Sequence, residues 1–296
     1  MATVQDLKRR IRSVGNTQKI TKAFELVASA RLRRAESRIE AMRPYADRML
    51  ELMGITAQAA GSVRLPLLER REEVTRVVLL PITADRGLAG AFNAQVLRRA
   101  FALERELRGQ GVEVKWLVAG RRGRSTLTFR GYELIQGWQG FSERPEYGDA
   151  QAIARRAAEL YANHEVDRVV VVYNRYKSPL VQLVTVQDLL PIPEKLIEGS
   201  EEQAEQTELR SDFIYEPEPE QILERLLPVY VETELYRALL ESAASEQGAR
   251  ATAMRSASKN AGELISNLTL AMNRARQAEI TQEILEVVAG ADALTA

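Results

Sequence analysis

Alternating steps of three and four residues from Val4 reach Leu7, Ile11, Val14, Gln18, Thr21, Glu25, Ala28, Leu32, Ala35, Ile39, Met42, Ala46, Met49 and Met53. All but Gln18, Thr21 and Glu25 are apolar, and the frame never slips. A 3.5-residue repeat sustained over so many turns predicts a helix supercoiled against another helix. Pro44 removes one backbone donor within it and is expected to kink it.

The other end of the chain carries a matching pattern. Ala257, Ala261, Leu264, Leu268, Ala271, Ala275, Ala278, Gln282 and Leu285 follow the same alternation, and small alanines let two helix axes approach closely. Two heptad segments at opposite ends of one chain pair most simply with each other, as an antiparallel intramolecular coiled coil. A helical homodimer is the alternative.

Between them the period changes. Val74–Ile82 is a β-branched apolar run followed by a glycine-containing turn and a helix over Ala91–Leu107. Val112–Val118, Asp167–Asn174 and Leu180–Gln187 read as further strands, and Ala150–Asn163 as a helix. Strands alternating with helices predict an α/β unit with a mainly parallel sheet. Leu190-Pro-Ile-Pro193 ends it, and Glu198, Glu201, Glu202, Glu205 and Glu208 make the following loop acidic. Pro217 and Pro219 bracket the turn into the last helices, with Pro228 in a first helical turn. The expected domains are therefore 1–57 (coiled-coil helix), 74–213 (central α/β domain) and 218–296 (helices completing the coil).

Charge is balanced overall, with 41 basic and 41 acidic residues, but not locally. Lys8, Arg9, Arg10, Arg12, Lys19, Lys22, Arg31, Arg33 and Arg34 are opposed only by Asp6 and Glu25. This basic helix face is a solvated surface, a contact for an acidic protein, or a nucleic-acid surface. With Phe24 the only aromatic before Tyr45, the stacking residues of a nucleic-acid module are missing. There is no cysteine, hence no disulfide framework or thiolate site. The N-terminus lacks a signal-peptide pattern, and no run of eighteen apolar residues predicts a membrane span.

Candidate chemistry is sparse. The single histidine, His164, reads as a helix-end cap beside Glu165 and Asp167, so a transition-metal site has little to build on. Neither a GxxxxGK[ST] phosphate loop nor a GxSxG elbow occurs. Thr83-Ala-Asp-Arg-Gly-Leu-Ala-Gly-Ala-Phe-Asn93 follows a strand and opens a helix, where a phosphate sits in nucleotide-binding folds. It lacks the GxGxxG spacing, and a glycine turn with an Asp85–Arg86 pair is the favoured reading. Gly120-Arg-Arg-Gly-Arg-Ser125 reads as a basic turn.

Several blocks together resemble one family. Ile11-Arg-Ser-Val-Gly-Asn-Thr-Gln-Lys-Ile-Thr-Lys-Ala23 with Glu25-Leu-Val-Ala-Ser29 resembles the N-terminal helix of F-type ATP synthase gamma subunits of the bacterial type. Ser245-Glu-Gln-Gly-Ala-Arg-Ala-Thr-Ala-Met254 and Asn273-Arg-Ala-Arg-Gln-Ala-Glu-Ile-Thr-Gln-Glu283 resemble its C-terminal helix. Asp85-Arg-Gly-Leu-Ala-Gly-Ala-Phe-Asn93 and Asp212-Phe-Ile-Tyr-Glu-Pro217 resemble segments between. The resemblance implies an α/β fold with a long antiparallel coiled coil, its paired ends flanking a Rossmann-like domain. It implies a rotor shaft without a catalytic site or cofactor, present once per complex and peripheral to the cytoplasmic face of the bacterial cell membrane. The implied partners are the alpha and beta subunits of the catalytic hexamer, the epsilon subunit and the membrane c ring, with no nucleic acid.

By the same resemblance Arg276 and Gln277 match a pair that hydrogen-bonds a beta-subunit loop, with Thr281 and Glu283 beside them. Arg250 matches a basic position facing the beta subunits, and Phe24, Lys19 and Lys22 lie near an acidic beta-subunit loop. Tyr215 and Glu216 match the foot near the c ring and epsilon. The polar window of Gln18, Thr21 and Glu25 is expected to loosen the seam at the rim of the surrounding sleeve. The chloroplast-type cysteine pair is absent, and Ala89 stands where cysteine is often found. A stand-alone nucleotide-binding α/β protein and a basic coiled coil bridging nucleic acid are the competing readings.

Overall fold

A computed structural model describes residues 3–61, 65–193 and 216–295, with side chains described as far as residue 290. The chain divides into two compact units: Ser29–Arg250, and Met1–Ala28 together with Ala251–Ala296. Two helices contribute to both, α1 (Val4–Ala60) and α5 (Pro219–Thr295).

The larger unit is built on a five-stranded sheet: β1 (Arg76–Pro81), β2 (Glu113–Ala119), β3 (Leu134–Trp138), β4 (Arg168–Tyr176) and β5 (Gln182–Leu190). The spatial order is β3-β2-β1-β4-β5, with the first four parallel and β5 antiparallel at the edge. The crossovers are α2 (Phe92–Gly109), α3 (Arg121–Phe129) and α4 (Tyr147–Ala162). Central strands of such a sheet are covered on both faces, which is why β1 and β4 are continuous apolar runs rather than alternating ones. In β1, Val77 and Leu79 pack with Val96, Ala100 and Leu107 of α2 and Leu127 of α3. Val78 and Leu80 point the other way, into a core with Ile153, Ala157 and Leu160 of α4, Met49 and Met53 of α1, and Leu235 and Leu239 of α5. The sheet is thus held between two helical layers.

Two elements depart from the sequence reading. The basic stretch after Gly120 is not a turn but the helix α3, and β3 adds a strand to the sheet. Helix α3 has only nine residues, several of them arginines. Strand β3 contains a glycine and is half-buried, so neither carries a strong periodic signal.

The C-terminal part is one helix of 77 residues rather than several. Pro219 occupies its first position, where no backbone donor is needed, and Pro228 lies in its interior rather than in a first turn. Helix α1 likewise continues through Pro44. Pro44 and Glu40, whose carbonyl loses its usual donor four residues on, are both exposed, so solvent satisfies that carbonyl.

In the smaller unit the two helices run antiparallel. Gln18 Nε2 donates to the Ser258 carbonyl at 3.4 Å, and Arg255 Nε donates to Glu25 Oε1 at 3.0 Å. Ascending residues of α1 thus meet descending residues of α5. Every α1 position of the 3–4 frame from Val4 to Met53 is buried or half-buried across the two units. The α5 frame is half right. Ala261, Leu268 and Ala275 turn inward as expected, but Leu264, Ala271 and Ala278 are exposed. Their places in the seam are taken by Ser258, Ile265 and Met272. Both frames share every seventh residue, and the apolar alphabet cannot separate them when alanines lie on both sides.

The polar window is not a loosening. Glu25 is 6% exposed and binds both Arg255 and Lys22 Nζ, the latter at 3.1 Å. Its carboxyl is held below the usual carboxylate range, first by the Arg255 hydrogen bond and then by Lys22. Gln18 sits against Gly262, so that a Cβ there would stand 3.0 Å from its Nε2. Gln18 and Glu25 cross-link the pair and fix its register, which an all-apolar seam would leave free to slide, while Thr21 Oγ1 donates to the Gln18 carbonyl of its own helix.

Candidate functional site

In an open α/β sheet a nucleotide binds beyond the carboxyl ends of the strands where their order reverses, here between β1 and β4. Beside that point, beyond β1 and β2, the β1–α2 loop and the start of α3 are bonded to each other. Thr83 Oγ1 donates to the Ala119 carbonyl at 2.9 Å and accepts from Gly123 N at 2.9 Å. Asp85 accepts from Arg121 N (2.9 Å) through one oxygen and from Gly140 N (2.8 Å) and Ser142 N (3.0 Å) through the other. Arg122 N donates to the Ala84 carbonyl and Arg124 N to the Gly120 carbonyl. The first amides of α3 are therefore all engaged, and none is left for a phosphate.

The turn is also too tight for side chains. Gly120 has φ 96, and a Cβ would lie 2.0 Å from the Thr83 carbonyl oxygen. The expected Asp85–Arg86 pair does not form; Arg86 lies instead 3.8 Å from Glu143, because Asp85 is spent on three backbone amides. The glycine-rich segment is a structural turn.

The predicted contact residues fall into two environments. Arg250 is buried, with Nη2 donating to Glu246 Oε1 at 2.6 Å and to the Gly87 carbonyl at 3.3 Å. Its charge is committed inside its own unit, not presented outward. Burial pushes the Glu246 carboxyl above its ordinary range, opposed by Arg250 and by a hydrogen bond from Ser142.

In the smaller unit Arg276, Gln277, Thr281 and Glu283 are all exposed. Thr281 Oγ1 donates back to the Gln277 carbonyl at 2.8 Å. Around them stand exposed Ile280, Ile284, Leu285, Val287 and Val288. Such a stretch of bare aliphatic surface on a helix marks a place where something else packs. Lys19 and Lys22 are exposed, as is Phe24 at 45%, which forms an apolar stripe with Ile20 and Val27 along α1. Sequence patterning missed this stripe because it lies off the heptad frame, yet a second apolar series at three-and-four spacing was legible. Glu216 is exposed, and Tyr215 lies outside the described residues.

Among the described residues no cluster of His, Asp and Glu is placed to hold a metal ion. His164, at φ 56, closes the C-terminus of α4 in the left-handed conformation, its N–H donating to the Tyr161 carbonyl at 3.1 Å. Among the described residues no helix is long and apolar enough to cross a membrane.

A family described as ATP synthase matches residues 3–294. The ATP synthase gamma chain of Rubrobacter xylanophilus is 47% identical over 100% of both chains. That of Pelotomaculum thermopropionicum is 44% identical over 99% of this chain and 100% of its own. Among solved structures, a chain from the central stalk and c ring of the Tetrahymena thermophila mitochondrial ATP synthase is 26% identical. It matches with a TM-score of 0.59 over 81% of this chain and 99% of its own. A chain of the Euglena gracilis mitochondrial ATP synthase is 17% identical with a TM-score of 0.70 over 98% and 94%, which speaks to the fold alone. Similarity running from end to end, and not confined to the α/β domain, makes this chain a member of the ATP synthase gamma-chain family.

Proposed function

We propose that this chain is the central rotor shaft of an F-type ATP synthase and has no catalytic site of its own. It couples ion-driven rotation of a membrane c ring to ATP synthesis or hydrolysis at the beta subunits. The observation that carries this reading is the antiparallel pair formed by the two ends of the chain, continuous with helices embedded in a closed α/β domain. A helical pair transmits torque where a loop does not. The turn at Thr83–Asn93 lacks the GxGxxG spacing and is bonded to the start of α3, which supports a role other than nucleotide binding.

The exposed end of α5, with Arg276, Gln277, Thr281, Glu283 and its aliphatic surface, is the surface for a beta-subunit loop. Lys19, Lys22 and Phe24 meet an acidic beta-subunit loop. The foot around Tyr215 and Glu216 meets epsilon and the c ring. A rotor shifts the affinity of each catalytic site only by touching its states unequally, so one copy serves the whole hexamer. The complex places the chain peripherally, on the cytoplasmic face of a bacterial cell membrane. The domains of this reading are the coil helix 1–57, the α/β domain 74–213 and the completing helix 218–296.

The test is ATP hydrolysis by a species-matched alpha–beta hexamer with and without the purified chain. Co-migration on a sizing column with raised turnover is expected. No association, or nucleotide binding by the chain alone, would contradict the reading.

A further inference from the structure

One charge cluster lies outside the surfaces assigned above. Glu143, in the segment between β3 and α4, faces three guanidinium groups from three other elements: Arg31 of α1, Arg86 of the β1–α2 loop and Arg250 of α5. Arg31 hydrogen-bonds one carboxylate oxygen, while Arg86 and Arg250 approach the other at 3.8 and 3.7 Å. The segment that carries Glu143 is itself pinned. Ser142 N donates to Asp85, and Asp85 N donates to Ser142 Oγ at 2.9 Å.

The burial of Arg250 makes Glu143 indispensable to this arrangement. Arg250 Nη1 is buried and has no hydrogen-bond acceptor, so the nearby Glu143 carboxylate is its compensation on that side. Its other counter-ion, Glu246, is 1% exposed, and burial works against its ionised form. Without Glu143, Arg31, Arg86 and Arg250 would lose the carboxylate they share, and the buried Arg250 would keep only Glu246 as a counter-ion. Arg31 and Arg250 also sit at the two places where the chain passes out of this unit, after Ala28 and at Arg250.

We infer that Glu143 is a positioning residue for rotary coupling: an ionic clamp that locks α1 and α5 to the α/β domain so that torque entering the domain passes to both helices. This rests on the rotor reading. A single carboxylate that binds both helices and the domain loop resists their relative twist, because turning either helix separates its arginine from a charge shared with the other.

The experiment uses the whole complex, reassembled from all subunits in sealed vesicles, and reads protons pumped per ATP hydrolysed. The wild-type chain is measured first. If it neither assembles nor supports pumping, the rotor reading fails and the clamp with it. If it does, Glu143→Gln, which keeps shape and removes charge, is expected to lower the ratio several-fold. Glu143→Asp is expected to restore most of it, a recovery of charge that a packing role would not show. Arg31→Gln, at a half-exposed position, is the second variant and decides the matter if Glu143→Gln fails to assemble; a smaller loss in the same direction is expected. A wild-type ratio in assembled Glu143→Gln or, failing that, in Arg31→Gln, overturns the clamp. So does a Glu143→Asp complex as uncoupled as Glu143→Gln.

Discussion

One helix lives in two worlds in this molecule. Between Tyr230 and Arg250, α5 is enclosed on nearly every side, and from Glu241 to Gly248 each residue is buried in turn. Beyond Ala251 only Met254 and Ala261 are buried, the other seam positions being half-buried, and from Arg276 to residue 290 none is buried. The first stretch carries buried polar groups, Glu232, Thr233, Glu234, Ser245 and Glu246 among them. The second carries bare aliphatics. Hydrophobicity alone would assign the two environments the wrong way round. Several of these polar groups find partners: Glu232 accepts from Tyr147 at 2.7 Å and Gln151 at 3.1 Å, and Ser245 donates to the Asn174 carbonyl at 3.0 Å. Thr233 Oγ1 and both polar side-chain atoms of Gln247 have no hydrogen-bond partner among the described residues. The exposed stretch leaves its aliphatics uncovered by the described residues.

Packing variants sharpen that contrast most strongly. Leu235→Ala, at a fully buried site in the larger unit, should cost about 3 kcal/mol in denaturant unfolding of the purified chain. Leu264→Ala, at a residue 47% exposed, should stay within about 0.5 kcal/mol. Equal losses would mean that the smaller unit is packed as the larger one is.

A smaller effect is expected at the cross-link. Glu25→Gln should lower stability by about 1 kcal/mol, discounted because both cationic partners are mostly exposed. No loss of melting temperature would return the polar window to a passive gap.

Acid separates the two units further. Glu25 has a depressed pKa, from Arg255 and Lys22. Asp167 is depressed as well: burial pushes it upward, but bonds from Thr75 and Arg76 outweigh this. Their stabilisation is complete above the ordinary carboxylate pKa, about 4, and is lost as pH falls through the lowered values. Glu241 and Glu246 have raised pKa values, chiefly from burial, so ionisation costs stability that protonation relieves. Lowering pH from neutral should therefore first leave stability level or slightly higher, then reduce it below about pH 4. In Glu25→Gln the later loss should shrink, as read by melting temperature against pH. A decline starting at neutral pH would contradict the assignment.

Least of all should change in the isolated chain on Arg276→Ala or Gln277→Ala. Both side chains are exposed, and stability should move by under about 0.5 kcal/mol. Stimulation of hydrolysis by an alpha–beta hexamer should nevertheless fall several-fold. Unchanged stimulation would remove these two residues from the contact.

The α1 frame was legible because one apolar series runs from Val4 to Met53, far longer than the competing Ile20, Phe24 and Val27 series. In α5, alanine-rich sequence fits two adjacent seams equally well, and only the partner helix chooses between them. Strands β1 and β4 announced themselves as long β-branched runs; β3, five residues of which four are half-buried and one is Gly137, did not. The candidate site divided similarly. Exposed Arg276 and Gln277 stand where the family resemblance implies a contact, whereas Arg250 reads as the same kind of basic position and is buried. The difference depends on Glu246, Gly87 and Glu143, and the last two are brought to it by the fold from more than a hundred residues away.

The most direct measurement of the central claim is rotation itself. The chain has no cysteine, so a single cysteine in place of Leu180, which is 75% exposed on the β4–β5 turn, gives one attachment point for a bead. With the hexamer fixed to a surface and ATP supplied, the account predicts stepwise rotation of the bead in one direction. A bead that stays still on a complex that is hydrolysing ATP would contradict it.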